Sequence, residues 1–155
     1  MAVTLLPQLW YAREVEEAAR FYAGIIPDSR VDSVTALPAE TPSGPPGTVK
    51  IVRMTLAGAP VVAFSAGGIE PFTHAISLTL SCDTQAEIDR IWDGLLEGGT
   101  PLQCGWLRDR YGLSWQIVPR RLAELIDGPD RERAGRAAAA MLAMVKLDLA
   151  AIEAA

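Results

Sequence analysis

"HAISLTLSCDTQAEIDRIWDGLLEGG", His74 to Gly99, is the stretch on which the fold turns. Its first part alternates. Ile76, Leu78 and Leu80 oppose Ala75, Ser77, Thr79 and Ser81, which is the two-residue period of a strand with one apolar and one polar face. At Asp83 the period changes. Thr84 and Glu87 make a Thr-x-x-Glu capping box, the start signal of a helix. Ile88, Ile91, Trp92, Leu95 and Leu96 then fall on one helical stripe, and Gly98-Gly99 stops it. The helix is expected to cover the apolar face of its strand and leave the polar face open.

The opening of the chain repeats the pattern. "LLPQLWYAREVEEAARFYAG" reads as a short strand and an amphipathic helix with Val15, Ala18, Ala19 and Tyr22 inside and Glu14, Glu16, Glu17 and Arg20 in water. In that strand Gln8 shares a face with Leu6 and Trp10. Extended segments follow each helix: 30–37, 49–56 and 60–65 after the first, then 102–107 and 113–118 after the second. The long loop "PAETPSGPPGT" interrupts the first set. A strand–helix–three-strand unit used twice, the second copy trimmed, is an α+β design. Beyond Arg120 the Ala-rich tail is helical, with Met141, Met144, Val145, Leu149 and Ile152 able to form one apolar face. It packs on its own domain or on a second subunit.

Composition narrows the function. The 155 residues suit one domain, and a net charge of −5 argues against nucleic acid or an anionic membrane as partner. "MAVTLLPQLWYAREVEEAAR" lacks the basic start of a signal peptide, and no apolar run approaches the roughly 18 residues of a membrane span. Two cysteines without a secretion signal are expected to stay unpaired in a cytoplasmic protein. A single histidine, His74, rules out His-pair zinc motifs, and there is neither a GxGxxG nor a Walker loop.

The repeated unit, the opening "PQLWYAREVEEAARFY" and the ending "CGWLRDRYGLSWQIVP" together resemble the vicinal oxygen chelate superfamily, which includes glyoxalase I, bleomycin-resistance proteins and extradiol dioxygenases. The branch resembled is the PhnB-like one, also labelled 3-demethylubiquinone-9 3-methyltransferase domains, and the likeness extends to the terminal "MLAMVKLDLAAIEAA". It implies paired βαβββ modules, about 1–66 and 72–119, forming a cupped mixed sheet in a single domain with a helical tail over 120–155, commonly as a homodimer.

The resemblance also implies where metal-using relatives place their ligands: at or next to Gln8, near Ser77 with His74 three residues earlier, and at Gln116 in "DRYGLSWQ", where those relatives carry glutamate. A neutral Gln/Ser/Gln set is a weak cation site beside His and Glu, so no metal and no cofactor is expected. Methyl transfer is not expected either, because no glycine-rich loop follows a strand.

The remaining candidates carry a plain reading beside a functional one. Cys104 lacks a neighbouring base and reads as a buried, inert thiol. Trp106 and Trp115 read as core, whereas Trp10 shares the Gln8 face and reads as a pocket residue. Asp109 is expected to order the turn before Gly112. Arg108 and Arg110 read as solvated. Arg53, in mid-strand, binds a carboxylate or phosphate if it points inward, or makes an ion pair at a sheet edge. His74 is either an acid–base group facing the cup or a solvent-side residue at the strand start. The sequence therefore reads as a metal-free small-molecule-binding protein using Gln8, Trp10, Arg53, Ser77 and Gln116. The alternatives are an enzyme of the same fold using a weakly held metal or His74, and a dimeric scaffold.

Overall fold

The structure is a computed structural model that describes residues 3–68 and 70–155. The first two residues of module one, and Ile69 in "SAGGIEPF", lie outside them. Two compact units appear, Met1–Pro71 and Phe72–Ala155.

The first unit runs β1 (Gln8–Tyr11), α1 (Val15–Ile25), β2 (Arg30–Ala36), β3 (Lys50–Leu56) and β4 (Ala59–Ser65). Its strand order is β1-β4-β3-β2, with β1 parallel to β4 and the other pairs antiparallel. The four expected residues of α1, Val15, Ala18, Ala19 and Tyr22, are all buried. They meet Leu9, Tyr11, Val52, Met54 and Leu56 from the strands, so every second strand residue belongs to the core. Burying each large aliphatic chain contributes about 1.5–3 kcal/mol, which fixes the register, since a one-residue slip would turn that whole set to water.

The second unit has the same order of elements: β5 (Leu78–Cys82), α2 (Gln85–Leu96), β6 (Thr100–Pro101), β7 (Trp106–Arg108) and β8 (Ser114–Pro119). The sheet order is β5-β8-β7-β6, again with the first strand parallel to the last. The Thr84–Glu87 capping box is complete: Glu87 N–H donates to Thr84 Oγ1 at 3.3 Å, and Thr84 N–H donates to Glu87 Oε2 at 3.0 Å. The bond that its carboxylate accepts from Asp83 N–H, followed by that from Thr84 N–H, holds the Glu87 carboxyl below its usual range. Ile88, Ile91, Trp92 and Leu95 are buried as the stripe requires. The helix ends before Gly98, whose φ of 74° suits glycine.

Four expectations need correction. His74–Ile76 is a turn rather than strand, and Ile76 is 70% exposed; β5 begins at Leu78, where pairing with Trp115 begins. The strand expected over 102–107 is two short ones, because the chain turns back through Gln103–Gly105, with Leu102 N–H bonded to Trp106 O at 2.8 Å. Trp106 is only half-buried, and it pairs with Gln116 on the face away from α2. The tail is three helices: α3 (Arg120–Asp127), α4 (Arg131–Leu142) and α5 (Leu149–Ala154). Asp148 caps α5 by accepting from Ala151 N–H at 2.9 Å, and this restart breaks the single apolar face expected there. Val145 is consequently 40% exposed, while Leu147 and Ile152 join Leu122, Leu125 and Ala137 in a buried cluster against Val118. The tail thus packs on its own chain, within the second unit.

Candidate functional site

In the first unit, strand register decides which side chains are neighbours. Gln8, Val62, Arg53 and Ser33 stand opposite one another across β1-β4-β3-β2, and Trp10, Phe64, Ile51 and Thr35 form the row two residues along. Paired residues share a face, so Gln8, Trp10 and Arg53 lie together on the side away from α1. Arg53 is on a central strand rather than at an edge. Among the described residues its exposed guanidinium has no hydrogen bond or ion pair, which removes the edge ion-pair reading.

Beside that row is a cavity of about 510 Å³ walled by Trp10, Phe64, Leu37, Val49 and Pro42. The Trp10 ring lies 5.4 Å from Phe64, centre to centre, and its indole N–H donates to Gly67 O at 2.7 Å. Gly68 permits this approach, because a Cβ there would stand 3.1 Å from the indole nitrogen. The loop over 38–48 supplies another wall. Thr41 and Gly44 exchange backbone hydrogen bonds of 2.9 and 3.0 Å, and Ser43 Oγ donates to Ala66 O beyond β4. The Pro/Gly-rich loop is therefore tied down at its tip.

In the second unit, the face away from α2 carries Ser114 and Arg108, then Thr79, Gln116 and Trp106. Gln116 Nε2 donates to Ser77 Oγ at 2.9 Å. His74 approaches the same face from its turn, with Nδ1 2.9 Å from Ser114 Oγ and Nε2 bonded to the Arg108 guanidinium. Arginine only donates. Nε2 therefore faces a donor in Arg108, and Nδ1 faces the Ser114 hydroxyl. Arg108 is exposed, as expected, yet engaged; Arg110 pairs with Glu97 at 2.9 Å. Sequence reasoning missed Ser114 and Arg108 as partners of His74. The two-residue period of "GLSWQIV" puts Ser114 on the Gln116 face, but nothing in it points to a residue forty positions earlier.

Asp109 does order the turn, accepting from Tyr111 N–H at 2.8 Å and Leu113 N–H at 3.0 Å. It also accepts from the buried Trp115 indole at 2.8 Å. Both cysteines are free, and Cys104 is half-buried rather than buried, which corrects the reading of it as a buried, inert thiol. Cys82 is pushed up to about 11, first by burial and then by the Glu87 charge, which leaves it an inert thiol at neutral pH.

The donor set does not fit a divalent metal. Gln8, Ser77 and Gln116 are neutral, Ser77 and Gln116 are already bonded to each other, and both nitrogens of His74 are engaged. Among the described residues no group of three or more His, Cys, Asp or Glu side chains is placed to hold an ion.

Two βαβββ modules, each closed by a parallel pairing of its first and last strands, define a protein of the vicinal oxygen chelate superfamily. A family model described as 3-demethylubiquinone-9 3-methyltransferase matches residues 3–118, and the chain belongs to that family. The match stops before α3, so the likeness expected for the terminal helix lies outside it. Among solved structures, the PhnB protein from Bacillus cereus is 28% identical with a TM-score of 0.65, over 76% of this chain and 99% of its own. Protein PA1353 from Pseudomonas aeruginosa is 20% identical with a TM-score of 0.59, over 76% of this chain and 98% of its own. The fosfomycin resistance protein FosX from Listeria monocytogenes, complexed with Mn(II) and sulfate, shares the fold at 10% identity and a TM-score of 0.54, over 76% of this chain and 91% of its own. No curated protein matches. No helix among the described residues is long and apolar enough to cross a membrane.

Proposed function

We propose that this protein binds small organic molecules without a metal ion, with Gln8, Trp10 and Arg53 as contacts on the first module's sheet face and Ser77 and Gln116 as contacts on the second module's own sheet face. The observation that carries the reading is the Trp10 cavity, with the unpaired Arg53 and Gln8 on the same sheet face. Its volume of about 510 Å³ suits a small ligand. Its walls favour a ring or branched chain, and Arg53 favours a carboxylate or phosphate on the ligand.

Binding is favoured over catalysis because both ring nitrogens of the one histidine are engaged by protein partners, Nε2 by Arg108 and Nδ1 by Ser114. The methyl transfer in the family's description finds no support in the strand-to-helix turns. They read Ala12-Arg13-Glu14 and Asp83-Thr84, without glycine to cradle a nucleotide cofactor. We read the protein as cytoplasmic and as a homodimer that engages neither nucleic acid nor membrane.

The test is a thermal-shift screen of organic acids, phosphate esters and antibiotics against the wild type, Trp10→Ala and Arg53→Ala, since a ligand of the folded state raises its midpoint. A ligand whose shift is lost in both variants supports the reading. A ligand that binds both as well as wild type refutes the site. Elemental analysis finding one transition metal per chain, lost in Gln116→Ala, refutes the metal-free part, and a monomeric mass by light scattering refutes the dimer.

A further inference from the structure

The second unit holds a cavity of about 540 Å³ between the open face of its sheet and the tail. Trp106, Gln116 and Val118 form the sheet side, and Leu122, Ile126 and Met141 close it from α3 and α4.

The tail is fastened rather than loosely laid. Cys104 and Gly105 N–H donate to Met144 O and Val145 O, both at 2.8 Å. Gln85 donates to Leu147 O at 3.1 Å and accepts from Leu149 N–H at 2.8 Å. Lys146 bridges Asp89 at 3.2 Å and Asp93 at 3.0 Å. Leu147 and Ile152 are fully buried beneath these bonds. The cavity is therefore preformed, so a ligand entering it orders little of the protein.

Its chemistry selects the occupant. Most of the wall is aliphatic, aromatic or thioether. No Lys or Arg lines it, and its one charged residue is the carboxylate Asp127, so an anion is disfavoured. Three polar groups on the wall have no partner among the described residues: the Trp106 indole N–H, the Ser81 hydroxyl and the Gln116 carbonyl oxygen, whose amide nitrogen alone is used by Ser77. The indole only donates and the Gln116 oxygen only accepts.

We infer that this tail-walled cavity is a second binding site, for an uncharged, largely apolar molecule carrying one hydrogen-bond acceptor for Trp106 and one donor for Gln116. It goes beyond the reading above, sharing only Gln116 with it, and it gives the tail a function as a ligand wall.

The test uses N-phenyl-1-naphthylamine, an uncharged aromatic with one N–H, titrated into the full chain and read by its fluorescence and by energy transfer from tryptophan. Wild type is expected to bind one equivalent. Ala123→Trp, at an exposed wall position on α3, should weaken binding by at least about tenfold. Leu142→Trp on α4 should do the same and guards against a folding defect in the first variant. Trp10→Ala, in the other cavity, should leave the affinity within about twofold. The related anion 8-anilino-1-naphthalenesulfonate should compete at least about tenfold more weakly. No binding by wild type, undiminished binding in both filled variants, or tighter competition by the sulfonate overturns the inference. Loss in Trp10→Ala alone would also overturn it, while placing the probe in the first module's cavity and so supporting the earlier reading.

Discussion

Replacing Asp109 by alanine should destabilise the second unit more than any surface substitution, and the size of the loss follows from its partners. The residue is 3% exposed, and its carboxylate accepts three hydrogen bonds of 2.8–3.0 Å. Alanine leaves the backbone bonds between Asp109 and Leu113 and between Gly112 and Asp109 intact. It strips the acceptor from all three donors. Two of these, the Leu113 N–H and the Trp115 indole, belong to residues that are 3% and 1% exposed, where water cannot readily replace the carboxylate. A hydrogen bond to a charged group contributes about 1.5–3 kcal/mol, and the variant no longer has to desolvate the charge, which offsets part of the sum. The expected loss is about 3–5 kcal/mol. Asparagine should cost about 2–3 kcal/mol, because either orientation of its amide sets an NH2 group against a donor. Urea unfolding followed by circular dichroism and tryptophan fluorescence reads the change. With a slope near 2 kcal/mol/M the alanine midpoint falls by about 2 M. An alanine variant within about 1 kcal/mol of wild type would refute the claim that this carboxylate holds the β7–β8 hairpin together.

Gly105→Ala should cost about 2–3 kcal/mol by the same assay, since φ is 79° and a Cβ would stand 2.8 Å from Ile117 O; an unchanged midpoint contradicts this. Titration with a thiol reagent at neutral pH should label Cys104 in the folded protein and Cys82, raised to about 11, only on unfolding; equal rates would contradict the burial of Cys82. Acid should weaken the fold through Glu87. Its folded pKa lies below the ordinary 4.5, so its contribution is present above 4.5 and lost as the pH falls through the lower folded value. Glu87→Gln should flatten that limb of the stability profile, and an identical limb would refute the assignment. Lys146 behaves oppositely. Burial works against its charge, but hydrogen bonds to Asp93 and Asp89 outweigh it and raise the pKa above the ordinary 10.5. Its contribution is therefore complete below 10.5 and lost at higher pH, and Lys146→Met should remove that alkaline loss.

What was legible in the sequence was whatever depends on near neighbours along the chain. The Thr84–Glu87 box, the buried sets of α1 and α2 and the Asp109 turn each involve residues within one or two turns of one another. Their period and chemistry suffice to place them. The errors fall where a distant partner decides. Ile76 continues the alternation of Leu78 and Leu80, yet the ladder to β8 starts only at Leu78, so Ile76 has no partner strand and stays exposed. Trp106 looked like core by size alone, and its face is set by pairing with Gln116. The tail's apolar face was read as continuous because alanine favours helix everywhere, while the Asp148 cap and the bonds from Cys104 and Gly105 select a break.

The candidate residues divide in the same way. Gln8, Trp10 and Arg53 share a face because strand period alone puts them there once the register is known. Gln116 is different. Its position in the closing hairpin could be read from the Asp109 turn, but its state depends on Ser77 across the parallel β5–β8 pair. A glutamate at that position would bring charge, and charge would favour a cation. The carboxamide instead satisfies a neutral hydroxyl and keeps one oxygen free. A site built this way would discriminate by hydrogen-bond geometry and apolar shape, which is what the proposed binding reading requires of it.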